Sequence, residues 1–236
     1  MNVAILGAGA MGNVLAQTVR EQGGQVAGMV EARNGETLAA LEGPVDVVID
    51  FSNPANLDML IDYCVTNSCP AVIATTGFTD EQKALIAGLS RRVPVVFAAN
   101  FSLGITVMRR VLAEITPILE NTFDMEVIEK HHNKKLDSPS GTAKMLVAAM
   151  NPDHVYEEVN GREGNRKRGK EIGIHAVRGG TIAGEHEVIF AGEDEILEIK
   201  HTAGSKKIFA AGAVTAARFV QTAEPGLYDM ENVLFG

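Results

Sequence analysis

The sequence predicts an α/β protein: a doubly wound parallel-sheet domain, followed by a smaller α+β domain with a mixed or antiparallel sheet. Up to Phe101, short continuously apolar runs alternate with stretches of helical spacing, the pattern of a parallel sheet covered on both faces. The turn after the first apolar run is rich in glycine. Beyond Phe101 the rhythm changes, and strand-like runs follow one another without helices between them.

Residues 3–6 are the first strand, and residues 11–21 carry Met11, Leu15 and Val19 at helical spacing. Residues 25–30 read as a second strand, and 45–49 as a third that ends at Asp50. Residues 54–66 read as a helix with Asn53 as its cap and Pro54 at its first position. Residues 71–74 are a fourth strand, 79–90 a helix opened by the capping-box pattern Thr-Asp-Glu-Gln, and 95–98 a fifth strand. A crossover near 101–104 leads to a helix over 105–119, a half-exposed strand over 123–130, a polar stretch over 133–140 and a helix over 141–150. The basic run 162–170 has no structure-forming pattern and reads as a solvated, mobile loop. Residues 172–177, 187–191 and 196–201 are strands, and 205–222 is a long alanine-rich helix. The chain thus reads as a doubly wound nucleotide domain followed by an α+β domain.

Bulk properties narrow the functions. A chain of 236 residues with 46% hydrophobic residues builds a core without staples. Its net charge of -9 argues against general binding to nucleic acid or to anionic membranes. Two cysteines, Cys64 and Cys69, are too few for a disulfide framework or a zinc site, and read as reduced, partly buried thiols of a cytoplasmic protein. The first residues look like a strand rather than a signal peptide, and no apolar run approaches membrane-spanning length.

Gly7, Gly9 and Gly12 form Gly-x-Gly-x-x-Gly between the first strand and the first helix, with Ala8, Ala10 and Met11 filling the loop. The first glycine permits a tight turn, the second lets the backbone approach a pyrophosphate, and the third lets helix and strand pack closely. Glu31, at the end of the second strand, stands where a carboxylate accepts hydrogen bonds from the adenosine ribose. Together these predict a Rossmann-type dinucleotide site. Glu31 disfavours a 2′-phosphate whereas Arg33 attracts it, so NADH, NADPH or both are expected. Ala74, Thr75 and Thr76 follow the fourth strand, and Ala99, Asn100 and Phe101 follow the fifth. Strand ends of this kind line the ligand crevice of a doubly wound sheet.

The densest chemistry lies between Glu129 and Lys144. His131 and His132 are adjacent at a strand end and point to opposite faces, so they make a poor chelate, and no metal site is expected. One can exchange protons near neutral pH while the other donates to an anion. Lys135 adds a positive charge or a proton donor, and Ser140-Gly141-Thr142 opens a helix whose N–H groups form an anion site. The segment reads as one that grips a carboxylate and delivers a proton.

His-His-x-x-Lys-x-Asp-x-Pro-Ser-Gly-Thr-Ala, from His131 to Ala143, resembles the signature of the 4-hydroxy-tetrahydrodipicolinate reductase family. The similarity runs through Gly7–Gly12, residues 74–78 and 98–104, Gly184-Glu185-His186, Phe209–Ala213 and the final Pro-Gly-Leu-Tyr-Asp-Met. It implies an NAD(P)H-dependent reduction of 4-hydroxy-tetrahydrodipicolinate in diaminopimelate and lysine biosynthesis, by a homotetramer acting on a small dicarboxylate, with a dinucleotide-binding domain of residues 1–102 and 207–236 and a substrate-binding and oligomerisation domain of residues 103–206. It assigns acid/base and proton-donor roles to His131 and Lys135, carboxylate binding to His132, Gly141 and Thr142, and the cofactor to Gly7–Gly12, Glu31, Arg33, Ala74–Thr76 and Ala98–Phe101. The chain departs from the family in having Ala74 for a common Gly, and Lys206 and Lys207 for a common Arg. Other nicotinamide-dependent dehydrogenases and dinucleotide sensors would share the glycine loop, but have no need of the His131–Thr142 segment.

Overall fold

Val3, Ala4, Ile5 and Leu6 have no exposed surface, because the strand they form, β1 (Asn2–Leu6), is covered on both faces. The computed structural model describes residues 1–236, which divide into two units: Met1–Leu103 with Lys206–Gly236, and Gly104–Ser205.

In the first unit, β1 leads into α1 (Ala10–Glu21), β2 (Gln25–Val30), β3 (Val47–Asp50), α2 (Leu57–Asn67), β4 (Ala71–Ile73), α3 (Asp80–Leu89) and β5 (Pro94–Phe97). Every strand pairing is parallel, and β1 lies between β2 and β3, the point at which the strand order reverses. Alternate strand residues face opposite helix layers. Val3, Ile5 and Ile49 pack with Leu15 and Val19 of α1, whereas Ala4, Leu6 and Val48 pack with Leu60 of α2 and Ile86 of α3. Full burial of each large side chain contributes about 1.5–3 kcal/mol.

The second unit takes most of α4 (Leu103–Leu119), then β6 (Asp124–His131), α5 (Gly141–Met150), β7 (Glu157–Asn160), β8 (Glu171–Arg178), β9 (Glu185–Ala191) and β10 (Ile196–Thr202). Its mixed sheet runs β10-β9-β6-β8-β7. β6 pairs parallel with β8 and antiparallel with β9. Met125, Val127 and Phe190 of the sheet form a core with Ile105 and Leu112 of α4 and Leu146 of α5. The chain then returns to the first unit as α6 (Lys207–Val220), β11 (Gly226–Tyr228) and α7 (Met230–Phe235). None of these helices is long and apolar enough to cross a membrane.

Several elements differ from the sequence reading. Asn53 caps as expected, but Pro54–Asn56 is a separate 3-10 turn and the α-helix starts only at Leu57. β7 and β11 were not anticipated; one is polar and the other has three residues, so neither has a pattern to read. The basic run 162–170 is tied down rather than loose. Arg162 and Arg166 pair with the buried Glu171, and Arg168 pairs with Glu126 and donates to the Met125 carbonyl at 2.9 Å. The acceptors lie on β6 and β8, where each had passed for an ordinary strand residue. Cys64 and Cys69 are free and fully buried, not partly so.

Candidate active site

At the carboxyl ends of β1 and β3, Gly7, Gly9, Glu31 and Arg33 line a cavity of about 310 Å³. Gly7 adopts φ 107°, and a Cβ on Gly12 would lie 1.9 Å from the Gly7 carbonyl oxygen, so both positions need glycine. A Cβ on Gly9 would meet nothing, so its use is not packing. Gly9 caps α1 without any side-chain hydrogen bond, and the first turn carries no acidic residue. The helix start therefore offers bare backbone N–H groups and the positive end of its dipole, which fits the pyrophosphate of a dinucleotide. Asn13 braces the loop, its Nδ2 donating to the carbonyls of Ala8 at 3.1 Å and Gly9 at 3.0 Å. Ala10 and Met11 open the helix.

The Glu31 N–H donates to the Glu36 carboxylate at 2.7 Å, and the Glu31 carboxylate lies 3.6 Å from Arg33 Nε. The Arg33 side chain is 88% exposed, so it is mobile enough to follow a ligand. The remaining walls, including Phe51, Ser52, Asn53 and Asn56, were not anticipated. Their signal was position: they follow β3, next to β1 at the reversal of strand order. Asp50 organises them. It accepts from the Ser52 N–H at 3.0 Å and from its hydroxyl at 2.5 Å, and Asn56 donates to Ser52 Oγ at 3.0 Å. Burial pushes the Asp50 carboxyl up to about 6, against the lowering effect of hydrogen bonds from Ser52 and Thr75.

Ala74–Thr76 and Ala98–Phe101 follow β4 and β5 on the same edge. Thr75 is buried and its hydroxyl accepts from the Ser52 N–H at 2.8 Å, so its side chain supports the cavity wall. Phe101 is also buried, its ring 6.1 Å from that of Phe51 and its carbonyl packed against Gly212 of α6, where a Cβ would come within 1.7 Å of the oxygen. Asn100 accepts from the Ser102 N–H at 2.8 Å, while Ala99 and Thr76 are exposed. Of the lysines that replace the family arginine, Lys207 pairs with Glu21 of α1 at 2.5 Å and Lys206 is the N-cap residue of α6.

In the second unit, strand alternation puts Glu129 and His131 on the core-facing side of β6. Glu129 is wholly buried and is the hub of a polar cluster that the sequence reading missed. Its Oε2 lies 2.6 Å from His131 Nδ1, Arg178 donates to both of its oxygens at 2.7 Å, and the Ser140 N–H donates to Oε1 at 2.9 Å. Burial alone would raise the Glu129 carboxyl, but the donors from Arg178, His131 and Ser140 outweigh it and hold the group below the usual carboxylate range. His186 stands opposite Glu129 on β9, with Nε2 3.0 Å from Ser140 Oγ. Burial first, then the neighbouring His131, lower its imidazole to about 4, so it is neutral at pH 7.

Ser140 also caps α5, its Oγ accepting from the Ala143 N–H at 3.1 Å, which leaves Gly141 and Thr142 in the first helical turn. Lys135 Nζ lies 2.8 Å from Asp137 Oδ1. That carboxyl is held low by Lys135 foremost, and by the N–H groups of Asp137 and Gly141. The Asp137 carbonyl accepts from Arg178 at 2.6 Å, so one arginine fixes both this loop and Glu129. His132 is half-buried, and its Nδ1 is buried without a hydrogen-bond partner.

A family model described as "Dihydrodipicolinate reductase, N-terminus" matches residues 1–101, and one described as "Dihydrodipicolinate reductase, C-terminus" matches residues 104–234. The 4-hydroxy-tetrahydrodipicolinate reductase of Exiguobacterium sp. is 44% identical over 240 residues, 99% of this chain and 95% of the relative. That of Brachyspira hyodysenteriae is 44% identical over 238 residues, 99% of this chain and 100% of the relative. Among solved structures, a dipicolinate-bound dihydrodipicolinate reductase from Paenisporosarcina sp. TG-14 is similar with a TM-score of 0.80 and 25% identity, over 99% of each chain.

Proposed function

The chain belongs to the dihydrodipicolinate reductase family, and on that premise we propose that it reduces 4-hydroxy-tetrahydrodipicolinate to tetrahydrodipicolinate with NADH or NADPH, in diaminopimelate and lysine biosynthesis. The observation that carries the substrate class is a carboxylate already seated in the proposed anion site. Asp137 lies 2.8 Å from Lys135 Nζ, and the Gly141 N–H contributes to holding it ionised. The half-buried imidazole of His132 offers a second polar contact on the same segment. The solved relative from Paenisporosarcina carries dipicolinate, a planar ring with two carboxylates, which is the shape such a pair of contacts suits.

In this reading residues 1–102 and 207–236 bind the dinucleotide, and 103–206 bind the substrate. Bound reduced nicotinamide supplies the hydride. Gly7–Gly12 hold the pyrophosphate, Glu31 and Arg33 the adenosine ribose, and the backbone of Ala74–Thr76 and Ala98–Phe101 the nicotinamide end. His132, Gly141 and Thr142 grip the substrate carboxylates. Negative charge develops on the ring during reduction, so a cation beside it stabilises the transition state more than the ground state. The 4-hydroxyl leaves as water with a hydrogen from the neighbouring ring carbon, hydride then adds at ring carbon 4, and His131 or Lys135 supplies the one proton that completes the product.

A homotetramer assembled through the second unit's sheet belongs to the same proposal. Val177 of β8 and Ile196 and Leu197 of β10 are exposed apolar residues on that sheet, and sedimentation velocity reads the stoichiometry. The cytoplasm is the proposed compartment, in keeping with the free thiols of Cys64 and Cys69. A spectrophotometric assay with enzymatically supplied substrate tests the activity. Oxidation of NADH or NADPH that depends on the dicarboxylate is the expected result; oxidation driven only by an amino acid or a semialdehyde would end the proposal.

A further inference from the structure

Glu129 has no free acceptor capacity. Each of its oxygens takes one hydrogen bond from Arg178; Oε1 takes another from the Ser140 N–H, and Oε2 faces His131 Nδ1 at 2.6 Å. An ionised carboxylate has no proton to donate. Were His131 Nδ1 bare, two lone pairs would oppose each other at that distance inside a buried site. The Arg178 fork keeps the carboxylate ionised, and the strand pattern keeps Glu129 beside His131 on one face of β6. The other ring nitrogen has a different setting. Gly184 lies against it, and a Cβ there would come within 3.1 Å of His131 Nε2.

We propose that Glu129 and Arg178 are positioning residues that hold the proton of His131 on Nδ1, so that only Nε2 gives up and takes up a proton during the reaction. The inference deepens the proposed function and rests on it for the meaning of that proton. Arg178 has a second part in it. By donating to the Asp137 carbonyl at 2.6 Å, it fixes the loop bearing Lys135 to the same carboxylate, so the two proton-bearing side chains are set by one ion pair. The arrangement matches the general logic of a carboxylate that orients a catalytic imidazole without itself being protonated.

The test is ring nitrogen NMR on 15N-histidine-labelled protein, without substrate and at a pH where the ring is neutral, with His131→Gln to assign the signal. The expected spectrum has Nδ1 protonated and Nε2 bare. In Glu129→Gln, the amide oxygen can accept from the Ser140 N–H and one Arg178 nitrogen, while its NH₂ faces His131 and displaces the other arm of the Arg178 fork, which moves the ring proton to Nε2. That variant is expected to lose roughly 10²-fold or more in kcat while its nucleotide Kd stays unchanged. A wild-type spectrum with the proton on Nε2 overturns the assignment and needs no variant to do so. A Glu129→Gln protein with wild-type kcat overturns it as well. Because the tautomer is read without turnover, the expected spectrum from a chain that does not reduce the dicarboxylate supports the positioning role and refutes only the reaction.

Discussion

Lys135 and Asp137 form an ion pair of 2.8 Å within the loop that precedes α5, so the chain's own carboxylate holds the cation proposed to meet the substrate. A ligand carboxylate has to replace Asp137 at Lys135. The loop itself is anchored elsewhere, through the Asp137 carbonyl to Arg178. Asp137→Asn is therefore expected to leave the loop in place and to tighten binding of a dicarboxylate inhibitor. The Asp137 side chain is 54% exposed, so the pair contributes about 1 kcal/mol at most and the gain is no more than about fivefold. Weaker binding in calorimetric titration would mean that Asp137 assists the ligand rather than competing with it.

Lys135→Ala is expected to cripple turnover while sparing the nucleotide. Lys135 belongs to the second unit and Gly7–Gly12 to the first, so the two functions are carried by different parts of the fold. Loss of a positioned acid lowers kcat by about 10²-fold or more. Fluorescence titration with NADH reads the other half of the expectation, an unchanged Kd. An unchanged kcat removes Lys135 from the mechanism.

Glu31→Ala separates the two cofactors. The carboxylate lies beside the cavity with Arg33 3.6 Å from it. Without Glu31, NADH loses its ribose acceptor, whereas NADPH still meets Arg33 through its 2′-phosphate. KM for NADH is expected to rise more than KM for NADPH. Equal rises would take Glu31 away from the ribose.

What was readable in the sequence follows from the range of the interactions. The glycine loop and the capping box at Thr79 are local, and β1 to β5 repeat one apolar pattern, so they could be read directly as strands of a parallel sheet. The His131–Thr142 segment carried its residue types in one stretch. Its supports did not: Arg178 and His186 reach Glu129 from β8 and β9, and only folding brings them there. The one local hint was that Glu129 and His131 are two apart on an alternating strand. Arg162, Arg166 and Arg168 misled for the same reason, since their acceptors Glu126 and Glu171 are distributed over β6 and β8.

Asp50 makes stability depend on pH in a direction opposite to that of most carboxylates. Burial raises its carboxyl from 3.8 to about 6, so the folded chain binds this proton more tightly than the unfolded chain. The associated stability is fully present below about pH 3.8 and is lost as pH rises through about 6, a change of about 3 kcal/mol. Asp50→Asn is uncharged at every pH and keeps an acceptor for Ser52. Relative to wild type, the variant is expected to be more stable at about pH 8 than at about pH 4 by an amount of that order. Urea unfolding of both proteins at the two pH values measures it, and a difference independent of pH would mean that Asp50 is ordinary in the folded chain.

Pyridine-2,6-dicarboxylate is expected to compete with the substrate, and a pyridine monocarboxylate to compete distinctly less well. The argument rests on two separate anion contacts in one segment. Lys135 and the Gly141 N–H already share one carboxylate in the form of Asp137, and His132 adds a half-buried imidazole on the same segment. A planar ring with carboxylates on either side of its nitrogen can meet both; a ring with one carboxylate must leave one unmet. Each charge-assisted hydrogen bond contributes roughly 1.5–3 kcal/mol, so loss of one carboxylate weakens binding by at least about tenfold. The His132→Gln variant sharpens the comparison, because it removes the second contact from the protein rather than from the ligand. In that variant the two inhibitors should become nearly equal, with the dicarboxylate losing most of its advantage. Calorimetric titration of both ligands against both proteins completes the cycle. If wild type bound the mono- and dicarboxylates equally, the two-point anion site would be wrong, and with it the assignment of a dicarboxylate substrate to this segment.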